Sequence, residues 1–184
     1  MRRSDSTVTE PCPYLPVASS GLGVETVRQH RGSYGPEAYR AHLTYAQALW
    51  LQGKPAQALL QIDRALAADF KGDEEVLREW PVPYKAMEWI LVRGSGMGFF
   101  GNPVRHFQHL ASRMSGPRSE LRAWRAWACF HLAERVLGRD GYPRDERQIE
   151  REGLVIPGRD EVVEQLGKLG LPGEASFVSS LLQA

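Results

Sequence analysis

PEAYRAHLTYAQALWLQGKPAQALLQIDRALAADF, residues 36–70, is the stretch whose reading decides the fold. Its apolar residues recur at three and four positions, the period of a helix rather than of a strand. Tyr39, His42 or Leu43, Ala46 and Leu49 or Trp50 share one face of a first helix. Gly53 breaks the pattern. Pro55 then falls in the first turn of a second helix, where a missing N–H costs nothing because that donor has no intrahelical partner. Ala58, Leu59, Ile62, Ala65 and Leu66 make the second stripe. So short a turn makes the two helices antiparallel neighbours.

The small residues have a physical sense: Ala46, Ala58 and Ala65 let the two helices approach closely where they cross. The spacing over residues 39–70 resembles one unit of a tetratricopeptide repeat. Tyr45 and Ala46 stand at the large-then-small pair of its first helix, Leu49 at its tyrosine and Gly53 in its turn. Ala58 and Ala65 match the small residues of its second helix, and Ile62 fills the aromatic position. His42 replaces the tryptophan, and Phe70 the closing proline. No second copy follows in phase. The resemblance implies a scaffold that binds other proteins. Since one such unit cannot bury both its faces, the rest of the chain must supply the packing.

The rest also reads as helical. Pro81 and Pro83 cut residues 74–94 into a short helix and a second segment from about 83 to 92. Trp89-Ile90-Leu91-Val92 would suit a strand equally well by period, and the helical neighbours favour helix. Asn102 caps and Pro103 opens a helix whose apolar face is Val104, Phe107, Leu110, Ala111 and Met114. From Pro117 to Gly138 runs the longest helix. Leu121, Trp124, Ala128 and Leu132 lie on one side of it, and Ala123, Ala126, Phe130, Ala133 and Leu137 on another. A helix with two apolar faces is expected at the centre, packed from both sides. Residues 139–153 form a solvated, mixed-charge loop with a short helix. Two short helices, about 159–168 and 173–183, close the chain as a capping hairpin. Residues 1–35, rich in Ser, Thr, Pro and Gly, read as an arm, partly disordered or docked through Tyr14, Leu15 and Val17.

The expected fold is therefore all-α: stacked antiparallel hairpins like those of tetratricopeptide repeats, six to eight short helices in one domain over residues 36–184. A length of 184 residues suits one domain with a proper core. A formal net charge of +1 singles out neither nucleic acid nor membrane. No run approaches the roughly 18 apolar residues of a membrane span, and Arg2-Arg3 has no apolar stretch behind it to make a secretory signal. Cys12 and Cys129 fit no CxxC spacing, so a cytoplasmic protein with free thiols is expected.

Chemistry-bearing patterns are few. RGSGMGFFGNPVRHFQHL, residues 93–110, puts Gly94, Gly96, Gly98 and Gly101 ahead of a helix N-terminus. A phosphate loop would aim backbone N–H groups at an anion there. No GK[ST] follows, no strand precedes it, and Pro103 removes one N–H, so the stretch reads as a joint between hairpins anchored by Phe99 and Phe100. His106 and His109 are three apart, and Cys129 and His131 lie on the next helix, but no carboxylate converges with them. No catalytic, metal or cofactor residues are assigned.

The arginines carry the functional expectation. Arg105, His109 and Arg113 fall at i, i+4, i+8, opposite the apolar face of their helix. Arg118, Arg122 and Arg125 fall at i, i+4, i+7 on the next. Six arginines face two acids between residues 103 and 135, whereas residues 139–168 hold six bases and eight acids. Such a face is either paired within the domain or exposed to an acidic partner, and the acidic run has arginines of its own. These six residues are thus the expected docking face of a non-catalytic scaffold or adaptor for another protein, with nucleic acid or another polyanion as the alternative ligand and an enzyme of unknown class as a second alternative. Residues 169–184 contain no Lys or Arg, so the terminal pair does not read as a DNA-binding helix-turn-helix.

Overall fold

Six of the eight helices in the described part of the computed structural model open on a proline. The structure describes residues 10–17, 36–68, 81–96, 103–113, 117–141 and 146–181. The helices are α1 (Pro36–Leu51), α2 (Pro55–Ala67), α3 (Pro81–Gly96), α4 (Pro103–Ser112), α5 (Pro117–Gly141), α6 (Glu146–Glu152), α7 (Arg159–Lys168) and α8 (Pro172–Ser180). Proline is tolerated there because its fixed φ suits the first turn and its absent donor is one the helix leaves unpaired. The same reasoning explains α3. Pro83 was expected to begin a segment, yet the helix runs from Pro81 through it, since the third position still belongs to the first turn. The strand alternative for Trp89–Val92 is not adopted. Asn102, Met114 and the Gly98–Gly101 stretch with Phe99 and Phe100 lie outside the described residues.

The α1–α2 turn is closed by a Schellman motif. Lys54 N–H donates to Leu49 C=O at 2.9 Å and Gly53 N–H to Trp50 C=O at 2.9 Å, with Gly53 at φ +71°. An added Cβ at Gly53 would touch nothing within 4 Å, so a side chain is opposed there only by the left-handed backbone. Gly53→Ala should therefore lower the unfolding free energy by roughly 1–2 kcal/mol without loss of helical circular dichroism. An unchanged denaturant midpoint would show that the turn relaxes freely.

Ala46, Ala58, Ile62 and Ala65 are fully buried in the hairpin. At the other end, α7 and α8 pack on each other and both reach α5, and α8 also reaches α3. Their turn is a second Schellman motif, with Gly170 at φ +78° and Leu171 N–H on Leu166 C=O at 2.9 Å. α5 is the axis: it packs against α2, α3, α4, α7 and α8. Every residue from Arg125 to Ala133 is buried, which is the two-sided burial its sequence calls for. Cys12 and Leu15 of the N-terminal segment join the core, while Tyr14 and Val17 face outward.

Candidate functional site

α4 shows one face to the core and another to solvent. Val104, Phe107 and Ala111 are buried; Arg105, His106, His109 and Arg113 are exposed. Its ten residues, PVRHFQHLAS, include no acid, and Arg113 follows directly after it. Arg105, His109 and Arg113 thus stand on the outer side, as their spacing implies.

α5 departs from expectation. Arg118 lies in its first turn, with its side chain outside the described set. Arg122 is half-exposed and aims Nη2 at Asp63 Oδ2 of α2, 3.6 Å away. Arg125 does not belong to an exposed face at all. It is 6% exposed, and Glu174 of α8, 3% exposed, receives both Nε and Nη2 at 2.9–3.2 Å. Arg125 Nη1 donates to Leu66 C=O at 2.7 Å, one of the last carbonyls of α2 that no intrahelical donor can reach. Tyr84 of α3 donates its hydroxyl to Glu174 Oε2 at 2.7 Å. The node joins α2, α3, α5 and α8. Burial opposes the charge on Arg125, but the charge and hydrogen bonds of Glu174, with Tyr84 and Cys129 nearby, together outweigh it and raise its pKa. Burial, followed by the charge of Glu174, pushes the Tyr84 hydroxyl well above its ordinary range. The burial of Arg125 has a simple cause: position 125 lies between two apolar faces, and a helix buried on both sides leaves no solvent between them.

Asp63 is the second buried acid. Burial raises its pKa above the ordinary 3.8, with Arg122, His106 and Arg64 pulling the other way. Its Oδ2 and the Nε of Arg122 lack hydrogen-bond partners. An acid whose folded pKa is raised holds its proton to higher pH when folded than when unfolded. The stability this gives is complete below the unfolded value and is lost as pH rises through the folded one. Asp63→Asn should therefore raise the denaturant midpoint at neutral pH, and the gain should vanish as pH falls below about 3.8. A lower midpoint at neutral pH would mean that attraction to Arg122 outweighs burial.

The other buried or half-buried histidines and the two thiols are tied down. His42 Nδ1 lies 2.9 Å from Gln61 Oε1, and burial lowers its pKa. His131 Nε2 meets Pro157 C=O at 3.0 Å and Nδ1 lies 3.5 Å from Glu134, a carboxylate its sequence context did not single out. Cys12 and Cys129 are unpaired and buried. Burial raises both thiol pKa values, and the nearby Asp63 and Glu174 charges raise that of Cys129 further. Among the described residues no group of three or more His, Cys, Asp or Glu is placed to hold a metal ion, and no helix is long and apolar enough to cross a membrane.

Glu174, Tyr84 and Asp63 were the residues sequence reasoning missed. One signal was available: Glu174 is the only charged residue between Leu169 and Ala184, so its carboxylate sits alone in an apolar segment. No protein-family model matches the chain, and neither a curated protein nor a solved structure matches it.

Proposed function

We propose that the chain is a non-catalytic interaction scaffold, built of stacked hairpins like those of tetratricopeptide repeats, that docks an acidic segment of a partner protein on the outer face of α4. The observation that carries this reading is the row Arg105, His109 and Arg113, exposed along a helix that contains no acid of its own and whose other face is locked in the core. At 1.5 Å per residue the stripe spans about 12 Å, a length suited to a few successive carboxylates. Arg122 and Arg125 are left out of it, because each already faces a buried acid. The likeness to repeat scaffolds is fold-level analogy, and the two buried thiols suit the cytoplasm.

The competing ligand for the same stripe is nucleic acid. A poly-glutamate peptide and a mixed-sequence DNA duplex, titrated separately into the full chain at low and at physiological salt, distinguish the two. The peptide should bind, weakening as salt screens the charges. Arg105→Gln, His109→Gln and Arg113→Gln combined should abolish that binding while changing stability by no more than about 0.5 kcal/mol. Tighter, steeply salt-dependent binding of the duplex, or undiminished peptide binding by the triple variant, would sink the reading.

A further inference from the structure

Residues 10–17 are held on α1 as a bound peptide is held. Gln47 and Trp50, three apart and so on one side of the helix, both address the segment's backbone. Cys12 N–H donates to Gln47 Oε1 at 3.0 Å. Gln47 Nε2 donates to Cys12 C=O at 2.9 Å and to Leu15 C=O at 3.3 Å. Trp50 Nε1 donates to Glu10 C=O at 2.7 Å. Cys12 and Leu15 supply the two apolar anchors, 1% and 5% exposed. The principal helix neighbour of α1 is α2, and the segment meets α1 at Gln47 and Trp50.

The segment is also pre-shaped. Its sequence is EPCPYLPV, with Pro11, Pro13 and Pro16. Leu15 N–H closes a turn on Cys12 C=O at 3.2 Å, with Pro13 at the turn position that favours its fixed φ. Such a peptide loses little conformational freedom on docking. It needs no covalent continuity with α1 to make the same contacts. Eighteen residues separate it from α1, four of them glycine, a length that reaches up to about 60 Å when extended.

We propose that this side of α1 is a segment-docking site that also takes residues 10–17 of a second copy, so that two copies exchange arms. The second copy is the occupant whose complementarity is guaranteed, because it presents the identical segment. Exchange of an identical element is a low-cost route to a dimer. The proposal is independent of the α4 face. A segment tethered through eighteen residues to its own α1 competes at an effective concentration on the order of millimolar, so the wild-type chain should exchange only near that concentration.

A complementation experiment removes the competition. The Leu15→Asp chain keeps the clamp but spoils the arm; the Gln47→Ala chain keeps the arm but spoils the clamp. Each alone should sediment as a monomer. Mixed in equal amounts at about a tenth of the effective concentration, they should give a 1:1 complex that neither chain forms alone. Absence of the complex, with both chains retaining wild-type helical circular dichroism, overturns the proposal. Should either variant unfold, the wild-type chain decides. A dimer that appears toward millimolar concentration, and that excess synthetic peptide of residues 8–18 disperses, supports arm exchange; a monomer throughout overturns it.

Discussion

Arg125→Met should lower the unfolding free energy by about 3–5 kcal/mol. The loss comes less from the attraction removed than from the group left behind. Glu174 is 3% exposed, and without the guanidinium its carboxylate keeps the Tyr84 hydroxyl as its remaining hydrogen-bond partner in the node. It must then either stay charged in a poor solvent or take up a proton. Leu66 C=O also loses its donor. The companion variants make the prediction specific. Arg125→Met, Glu174→Leu and Tyr84→Phe together remove every charged or hydroxyl group of the node, so the triple variant should recover most of the loss. The orphaned Leu66 carbonyl keeps the recovery partial, at a residual cost of about 1–3 kcal/mol. Equilibrium denaturation of the wild type, Arg125→Met and the triple variant gives the comparison. If the triple variant is as unstable as Arg125→Met, the node stabilises the fold by its own attraction rather than by mutual neutralisation.

Trp50→Ala should cost a similar amount, about 3–5 kcal/mol, through the cavity it opens. The indole is 1% exposed and meets Trp89 of α3 edge to face, with ring centroids 5.3 Å apart. Trp89 in turn lies under the Arg93 guanidinium, 3.9 Å from its ring centre. One side chain therefore links the N-terminal segment, α1 and α3. Trp50→Phe separates the contributions. It retains most of the apolar ring and loses the N–H bond to Glu10 C=O, whose residue is exposed and can be hydrated. Its cost should be about 1–2 kcal/mol. Equal losses for the two substitutions would assign the stability to the hydrogen bond instead of to packing.

Local features announced themselves in the sequence. Pro36, Pro55, Pro103 and Pro117 marked helix starts, and Gly53 marked a turn, because each acts through its own backbone. The two-sided burial of α5 was legible from its two apolar stripes, since burial on a helix follows from period alone. What could not be read was the partner of each charge. Arg125 and Glu174 are 49 positions apart, and Arg122 and Asp63 lie on different hairpins. Periodicity says which way a side chain points on its own helix, but not what arrives there from elsewhere. For the same reason Arg105, His109 and Arg113 were placed outward correctly from the apolar face of α4, whereas Arg125 was not. The docking of the N-terminal segment was half legible: Leu15 was expected in the core, but Cys12 takes the second anchoring place rather than Tyr14 or Val17, because the turn at Pro13 sets residues 12 and 15 on the same side.

The Arg125 node also orders events during synthesis. Its four contributing groups are encoded at positions 66, 84, 125 and 174, and the Tyr84–Glu174 bond spans 90 residues. A ribosome delivers them in that order. The α1–α2 hairpin can close early from neighbouring residues, but a growing chain that has passed Arg125 holds an unmatched cation in its forming core until Glu174 emerges. Contacts between such distant positions close late. The last helix thus supplies the missing piece of the centre: a product that stops before residue 174 encodes α1 to α7 and lacks the carboxylate that Arg125 and Tyr84 both meet.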